Sequence, residues 1–247
     1  TLARGDVLDT ASVRAAAEGC SALLHCAGKV SRKPEDAEEL YRVHVEGTKI
    51  TLDASREAGV KRAVIASTSG VVAVTKESSE VRDEKAPAPM DLLAGWPYYR
   101  SKLFAERAAF DRNAPGFEVV AVNPTLLLGP GDERGSSTSD VVQFLEKKVP
   151  FTPAGGLSFV DARDAAQGLV GEVGRLLGGA EVVVHDTAAA QRFCAAPGSF
   201  ARFRLSDRLG DSDWRYNATH RGGDRLHPVV GYGFLKSLPR RIDDGSQ

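Results

Sequence analysis

Short apolar runs alternate with longer amphipathic stretches along the first 177 residues of the chain. The runs have strand length and are rich in Val, Ile, Leu and Ala, which is typical of strands buried on both faces. The pattern predicts strands at residues 22–26, 62–67, 117–122 and 157–160, and helices at 11–18, 34–58, 98–112, 141–148 and 161–177. Strands that alternate with helices favour an α/β fold, in which helices cover both faces of a parallel sheet.

Local start and stop signals support these limits. Asp9 precedes the first helix, Pro34 opens the long helix and Gly59 ends it. The longest predicted loops are polar and rich in Pro or Gly, at residues 75–96 and 124–139.

Composition restricts the partners that we expect. The 247 residues carry a net charge of −1. The chain therefore lacks the overall positive charge that would favour binding to nucleic acid or to an anionic membrane. The three cysteines, Cys20, Cys26 and Cys194, are odd in number and lack metal-ligand spacing. This usage predicts a reduced, cytoplasmic protein without a metal site. No apolar run reaches the ~18 residues that suggest a membrane span.

Tyr98 and Lys102 are the main candidates for chemistry. They lie four residues apart in a predicted helix, so the phenol and the ammonium share one face. We predict that Lys102 lowers the pKa of Tyr98 from its usual value near ~10, because a cation stabilises phenolate. Such a tyrosine exchanges a proton in carbonyl reduction or alcohol oxidation, with a nearby serine holding the substrate oxygen. The alternative is an ordinary packing pair on a helix surface, since this spacing is common.

Small or polar residues follow three of the predicted strands. Gly28, Ser69 and Asn123-Pro124 each come directly after a strand. Ligands of open α/β sheets bind beyond the carboxyl ends of the strands, so these residues are expected at one edge. This coincidence favours the chemical interpretation of Tyr98.

The order of six segments around the Tyr98–Lys102 pair resembles a known family. The segments are residues 5–9, 25–28, 45–48, 66–69, 123–132 and 159–166. Over residues 4 to about 170 the chain resembles the extended short-chain dehydrogenase/reductase family, of the NAD-dependent epimerase/dehydratase type. Residues 97–102 and 155–161 are most similar to the branch of dihydroflavonol reductases and 3β-hydroxysteroid dehydrogenases.

The resemblance implies a role for each candidate residue. Ser69 would hydrogen-bond the substrate oxygen, Tyr98 would exchange the proton, and Lys102 would bind ribose hydroxyls and lower the tyrosine pKa. NAD or NADP would carry the hydride, while the protein would position the cofactor and the substrate and supply the electrostatic environment. The implied cofactor-binding residues are Asp6, Val7, Cys26, Ala27, Gly28, Ser67, Tyr98, Lys102 and Pro124.

The first departure from the family concerns its opening. The family begins with a strand, a Gly-x-x-Gly-x-x-Gly turn and a helix that hold the pyrophosphate. Nothing like this turn precedes Gly5, so we expect a chain truncated at its N-terminus, without the first strand–helix units of about 60 residues. The choice between NAD and NADP stays open, since the discriminating residue belongs to those units. We also expect an exposed sheet edge.

A second departure is His44, where the family usually has asparagine. We interpret His44 as a tolerated structural substitution and not as a new catalytic histidine. The other histidines that we considered, His185, His220 and His227, show no ligand spacing.

The third departure is the C-terminal part. We divide the chain into a partial Rossmann-type dinucleotide-binding domain, residues 1–179, and an atypical, irregular C-terminal segment, residues 180–247, in place of the small substrate domain. A strand is predicted at 181–185. The rest is locally basic, through Arg202, Arg204, Arg208, Arg215, Arg221 and Arg225. Three interpretations remain: a solvated or poorly ordered segment, a nucleic-acid or phosphate-binding tail, and a C-terminus replaced by a reading-frame shift.

The predicted function is an NAD(P)-dependent oxidoreductase that acts on a ketone or secondary alcohol of a bulky small molecule. The alternatives are a nucleotide-sugar epimerase or dehydratase, a non-catalytic dinucleotide-binding relative, and an inactive truncated fragment. Gly70 disfavours a dehydratase, which often has an acidic residue beside the catalytic serine or threonine. By analogy, the helices at 35–58 and at Tyr98 are the candidate faces of a homodimer.

Overall fold

Four parallel strands form the centre of the fold. The computed structural model describes residues 2–76, 82, 85–132, 135–149, 157–177, 181–185, 199–204 and 234–237. The central strands, in their spatial order, are β7 (Glu181–His185), β2 (Ala22–His25), β3 (Arg62–Ala66) and β4 (Glu118–Asn123). In their register Leu24 lies opposite Val64, and Val64 lies opposite Val120. The predicted parallel sheet is confirmed.

Helices cover both faces of this sheet. The α-helices of the described residues are α1 (Thr10–Ala17), α2 (Ala37–Tyr41), α3 (Gly47–Glu57), α4 (Met90–Leu93), α5 (Pro97–Phe110), α6 (Thr138–Leu145) and α7 (Ala162–Leu177); α1, α3, α5 and α7 pack on the sheet. On one face Leu23, Ile65 and Val119 join the buried residues of α1, α3 and α5. On the other face Leu24 and Val64 pack with Val173 of α7. The alternation follows from the two-residue period of a strand.

The predicted helix at 34–58 is more complex than its sequence pattern suggested. It opens with a 3-10 turn at Pro34–Asp36 and continues as α2. A π-helical turn follows at Arg42–Glu46, in which the Gly47 amide donates to the Arg42 carbonyl, five residues back. The helix then resumes as α3. Such a turn is rare and often lies at functional sites.

Antiparallel strands extend the sheet on both sides. Strand β1 (Leu2–Arg4) pairs with β8 (Ser199–Arg204), β8 pairs with β7, and β9 (Phe234–Ser237) pairs with β4. The strand predicted at 181–185 is β7, and the described residues of the segment predicted as irregular add β8 and β9. Strand β7 pairs in parallel with β2, so β2 lies inside the sheet and not at its edge.

Both long loops contain short elements that the sequence pattern missed. Helix α4 lies within residues 75–96. Strand β5 (Leu126–Leu128) lies within residues 124–139 and pairs in parallel with β6 (Phe159–Asp161). A three-residue strand is too short to show a period. Within the described residues, the helices are all too short or too polar to span a bilayer.

The predictions for the basic tail remain predictions. Arg208, Arg215, Arg221, Arg225, His220 and His227 lie outside the described residues. The division at residue 179 also stays a prediction.

Candidate functional site

The carboxyl ends of β3 and β4 are joined by backbone hydrogen bonds. The Ser67 amide donates to the Val122 carbonyl at 2.8 Å, and the Ser69 amide donates to the Pro124 carbonyl at 2.9 Å. Ser69 begins a 3-10 turn, Ser69–Val71, and Thr68 caps it by accepting from the Gly70 amide. The serine segment and the segment at Pro124 therefore lie side by side at one edge of the sheet, as predicted.

Lys102 attaches helix α5 to this edge. Its ammonium donates to the Ala66 carbonyl at 2.6 Å, at the last residue of β3. Burial lowers the pKa of Lys102 to about 8, and the nearby Cys26 and Glu106 oppose this shift. The lysine ammonium is strongly hydrated in water, so its burial here has a free-energy cost that the surrounding groups must offset.

Tyr98 lies one helical turn before Lys102, as the spacing predicted, but its pKa shifts the other way. Burial, with a smaller effect of Tyr99, raises the pKa of Tyr98 to about 12. The predicted lowering by Lys102 is therefore wrong for this arrangement. Among the described residues no hydrogen bond joins Lys102 to the phenol; the ammonium donates to the Ala66 carbonyl. Tyr98 is held as a neutral phenol at neutral pH.

An aromatic cluster lies beside Tyr98. The Tyr99 ring contacts the Tyr98 ring edge-on, with centroids 5.2 Å apart, and lies 5.8 Å from the Trp96 ring. Gly70 makes room for it, because a Cβ at this position would come within 2.2 Å of Tyr99 Cε1. Through this contact the turn that carries Ser69 packs against the helix that carries Tyr98. No direct hydrogen bond joins Ser69, Tyr98 and Lys102 in the described part of the chain.

Glu106 is a buried residue of the site that sequence reasoning missed. It is 1% exposed, and its carboxylate accepts a hydrogen bond from the side-chain nitrogen of Asn123, Nδ2, at 2.7 Å. The same nitrogen donates to the Thr68 carbonyl at 3.1 Å, so Asn123 joins α5 to the serine turn. The spacing of Tyr98, Lys102 and Glu106, one every four residues, was the available signal.

His44 lies in the π-helical turn and faces the same region. It is 2% exposed, its Nδ1 is 2.8 Å from Ser101 Oγ, and its Nε2 accepts from the Lys29 amide at 3.1 Å. Burial, followed by the charge of Lys102, lowers the pKa of His44 to about 3. The sequence alone predicted a structural role for this histidine and no particular partners.

Helix α3 contacts the chain after β1 and at the end of β2, where several of the predicted cofactor residues lie. Val7 is buried against Gly47, where a Cβ would lie 3.0 Å from Val7 Cγ2. His25 Nε2, at the end of β2, is 2.9 Å from Thr48 Oγ1. Asp6 is exposed, and its carboxylate accepts from the Leu8 amide. After β2 come the half-buried Cys26, the buried Ala27 and then Gly28, whose backbone lies against His44.

Unpaired buried hydroxyls mark where a polar ligand fits at this edge. Ser67 Oγ and Thr125 Oγ1 are buried and have no hydrogen-bond partner among the described residues. Buried hydroxyls are normally paired, so these two are candidates to bind a polar group of a ligand, although the buried Thr51 and Ser55 hydroxyls of α3 are unpaired as well. The described residues contain no group of three potential metal ligands among His, Cys, Asp and Glu.

One glycine pattern does not fit a phosphate site. Gly168, Gly171 and Gly174 have the spacing of a phosphate-binding turn, but they lie inside helix α7 and not between a strand and a helix. Amides within a helix are bonded to its own carbonyls and are not free to hold phosphate.

Known proteins are similar to this chain in sequence and in fold. The model of the NAD dependent epimerase/dehydratase family matches residues 1–171. A Synechocystis sp. protein named for dihydroflavonol 4-reductase is 34% identical over 152 residues, which are 61% of this chain and 44% of that protein. Cinnamoyl-CoA reductase 1 of Oryza sativa subsp. japonica is 33% identical over 174 residues, which are 68% of this chain and 50% of that protein.

A solved structure shares the fold. MoeE5 in complex with UDP-glucose and NAD matches with a TM-score of 0.53 and 25% identity, covering 68% of this chain and 56% of that chain. The chain spans about half the length of the curated relatives that it matches.

The buried amine of Lys102 makes a pH-dependent contribution to stability. Its folded-state pKa of about 8 lies below the ordinary 10.5, so the folded protein is penalised while the amine is protonated. The penalty is fully present below pH 8 and disappears as the pH rises through 10.5. Relative to Lys102→Met, we expect the free energy of unfolding of the unmodified protein to rise by on the order of 2–3 kcal/mol between pH 7 and pH 10.

Urea denaturation at both pH values measures this difference. Lys61→Met is the matched control, because Lys61 is exposed and its substitution should show no such change with pH. Equal pH dependence of the two variants would contradict a buried, destabilised ammonium at position 102.

The contact between Gly70 and Tyr99 gives a second prediction. Gly70→Ala forces the Tyr99 ring to move, and we expect a loss of about 1–3 kcal/mol in the free energy of unfolding, typical of overpacking. Near-UV circular dichroism should change as well, since Tyr99 packs on Trp96. Gly95→Ala is the control, because a Cβ there meets no atom within 4 Å. Equal stability of the two variants would refute the close contact.

Proposed function

The chain belongs to the NAD-dependent epimerase/dehydratase family, and from that premise we propose that it is an oxidoreductase that reduces a ketone of a small molecule to a secondary alcohol. NADH or NADPH supplies the hydride, and Tyr98 supplies the proton. The observation that carries the proposal is the placement of Tyr98, one turn before the lysine that attaches α5 to the end of β3.

The protonation state of Tyr98 favours the reductive direction. With a pKa of about 12, its phenol holds a proton throughout the neutral range. Reduction of a carbonyl generates an alkoxide, which needs a proton donor, whereas oxidation of an alcohol needs a base. Ser69, on the adjacent turn, is the hydroxyl that would hold the carbonyl oxygen. Lys102 would hold the ribose and keep a positive charge near the developing oxyanion.

The residues at the strand ends would hold the cofactor. We assign this role to Asp6, Val7, Cys26, Ala27, Gly28, Ser67, Tyr98, Lys102 and Pro124. The unpaired Ser67 Oγ supports the assignment, because a bound hydroxyl or amide would satisfy it.

The Tyr99 ring supports a reductase rather than a dehydratase. It occupies the space in which a side chain at position 70 would lie, so no acidic group can stand directly after Ser69 without moving this ring. Both relatives described above are named as reductases, which agrees with this argument. A nucleotide-sugar epimerase, the alternative with the same proton-transfer residues, remains the second outcome of a substrate screen.

The aromatic cluster suggests the shape of the substrate. Trp96 is 60% exposed, and it reaches Tyr98 through the partly exposed Tyr99. Flat apolar groups bind well against such rings. We therefore propose a ketone that carries a planar apolar group.

Turnover of aryl ketones tests the proposal. With NADH or NADPH as the reductant, we expect Tyr98→Phe to lower kcat by about 10²–10⁴-fold, because the variant keeps the ring and loses the proton donor. Cofactor absorbance follows the reaction. Tyr41→Phe is the matched control, since Tyr41 is exposed on α2 and should keep full activity.

Two results would contradict the proposal. One is the absence of turnover with both reductants, and the other is equal turnover of Tyr98→Phe and the unmodified chain. Conversion of a nucleotide sugar without net consumption of NADH would favour the epimerase.

A further inference from the structure

His44 connects two parts of the candidate site that are distant in sequence. One of its nitrogens contacts the backbone after β2, and the other contacts the helix that carries Tyr98. We propose that His44 is a positioning residue, which orients Tyr98 through Ser101 and holds the Gly28–Lys29 backbone against the same helix. This inference rests on the proposed function, because it concerns the proton donor of that reaction.

The direction of every hydrogen bond in this chain of groups follows from one fixed donor. The Lys29 amide can only donate, so His44 Nε2 must accept. A neutral imidazole then carries its proton on Nδ1, which donates to Ser101 Oγ at 2.8 Å. Ser101 in turn donates to the Tyr98 carbonyl at 2.8 Å. Each donor has one acceptor, so the network admits a single arrangement.

The ring of His44 also contacts the ring of Tyr98 directly. The centroids are 5.7 Å apart and the planes meet at 81°, which is the edge-to-face geometry of aromatic pairs. Two contacts therefore fix Tyr98: the hydrogen bond from Ser101 to its backbone carbonyl, and the packing of its ring against His44. No described residue forms a hydrogen bond with the hydroxyl, which is the reacting group of the proposed function.

Two local features allow His44 to reach both partners. The π-helical turn at Arg42–Glu46 inserts an extra residue into the helix, which rotates the following face. Gly28 has no side chain, and a Cβ there would lie 3.2 Å from His44 Nε2. The imidazole can thus approach the Lys29 amide closely.

The network is stable over the pH range of an assay. Burial and the Lys102 charge keep His44 neutral, and protonation would place an N–H on Nε2 against the Lys29 amide.

Two variants break the network at different points. Ser101→Ala removes the link between His44 and the Tyr98 carbonyl, and His44→Phe keeps a ring while removing both hydrogen-bonding nitrogens. We expect each to lower kcat for aryl ketone reduction by about tenfold with KM changed by less than about twofold, the signature of a misplaced reacting group. The double variant should be no worse than the stronger single one, because both act on one chain of groups.

Ser55→Ala is the matched control, since Ser55 is fully buried in α3 and outside the site. It deletes a buried hydroxyl as Ser101→Ala does, and we expect it to leave kcat and KM unchanged. Additive losses in the double variant, or equal effects of the two serine substitutions, would overturn the proposal.

A spectroscopic measurement separates this inference from the proposed function. In ¹⁵N-histidine spectra of the unmodified protein we expect His44 as the tautomer with its proton on Nδ1. Ser101→Ala should shift the Tyr98 ring resonances, and Ser55→Ala should not. Without any turnover the proposed function fails, and these spectra still decide the role of His44: an Nε2–H tautomer, or an unmoved Tyr98 ring, overturns it.

Discussion

The hydrogen bond from the Lys102 ammonium to the Ala66 carbonyl is the interaction on which the candidate site depends. It fixes helix α5 to the last residue of β3, and so sets the height of Tyr98 above the sheet. Glu106, one turn further along the helix, binds Asn123 at the end of β4. A single helix therefore connects to two neighbouring strand ends through buried polar groups. Such groups are costly when unpaired, so they permit few alternative placements of the helix.

The same burial sets the electrostatics of the site. It lowers the pKa of Lys102 to about 8, lowers that of His44 to about 3 and raises that of Tyr98 to about 12. Desolvation disfavours the charged form of each group, which explains why the three shifts differ in sign. At neutral pH the result is a neutral phenol, a neutral imidazole and one cation. In these states the Tyr98 phenol keeps a proton at neutral pH, which the proposed reduction requires.

The sequence predicted the elements with strong periodicity and missed those that depend on tertiary contacts. Three central strands and the Tyr98 helix lie where the apolar runs placed them, because buried strands require continuous apolar residues. The π-helical turn at Arg42–Glu46 has no comparable sequence pattern. Neither has the pairing of β8 with β7, or that of β9 with β4. In the candidate site, the i,i+4 spacing correctly predicted that Tyr98 and Lys102 lie one helical turn apart. The spacing predicted a lowered pKa for Tyr98, whereas the pKa is raised. Spacing carries no information on desolvation or on the carbonyl to which Lys102 donates.

The pKa of Tyr98 tests the central claim most directly. Incorporation of tyrosine labelled with ¹³C at Cζ, with assignment from the Tyr98→Phe spectrum, allows the phenol to be titrated by NMR in the intact chain. The account predicts that the Tyr98 resonance stays that of a neutral phenol through pH 10 and moves only as the pH approaches 12. Titration of this resonance near neutral pH would contradict it, because Lys102 would then hold a phenolate and the resting site would contain a base.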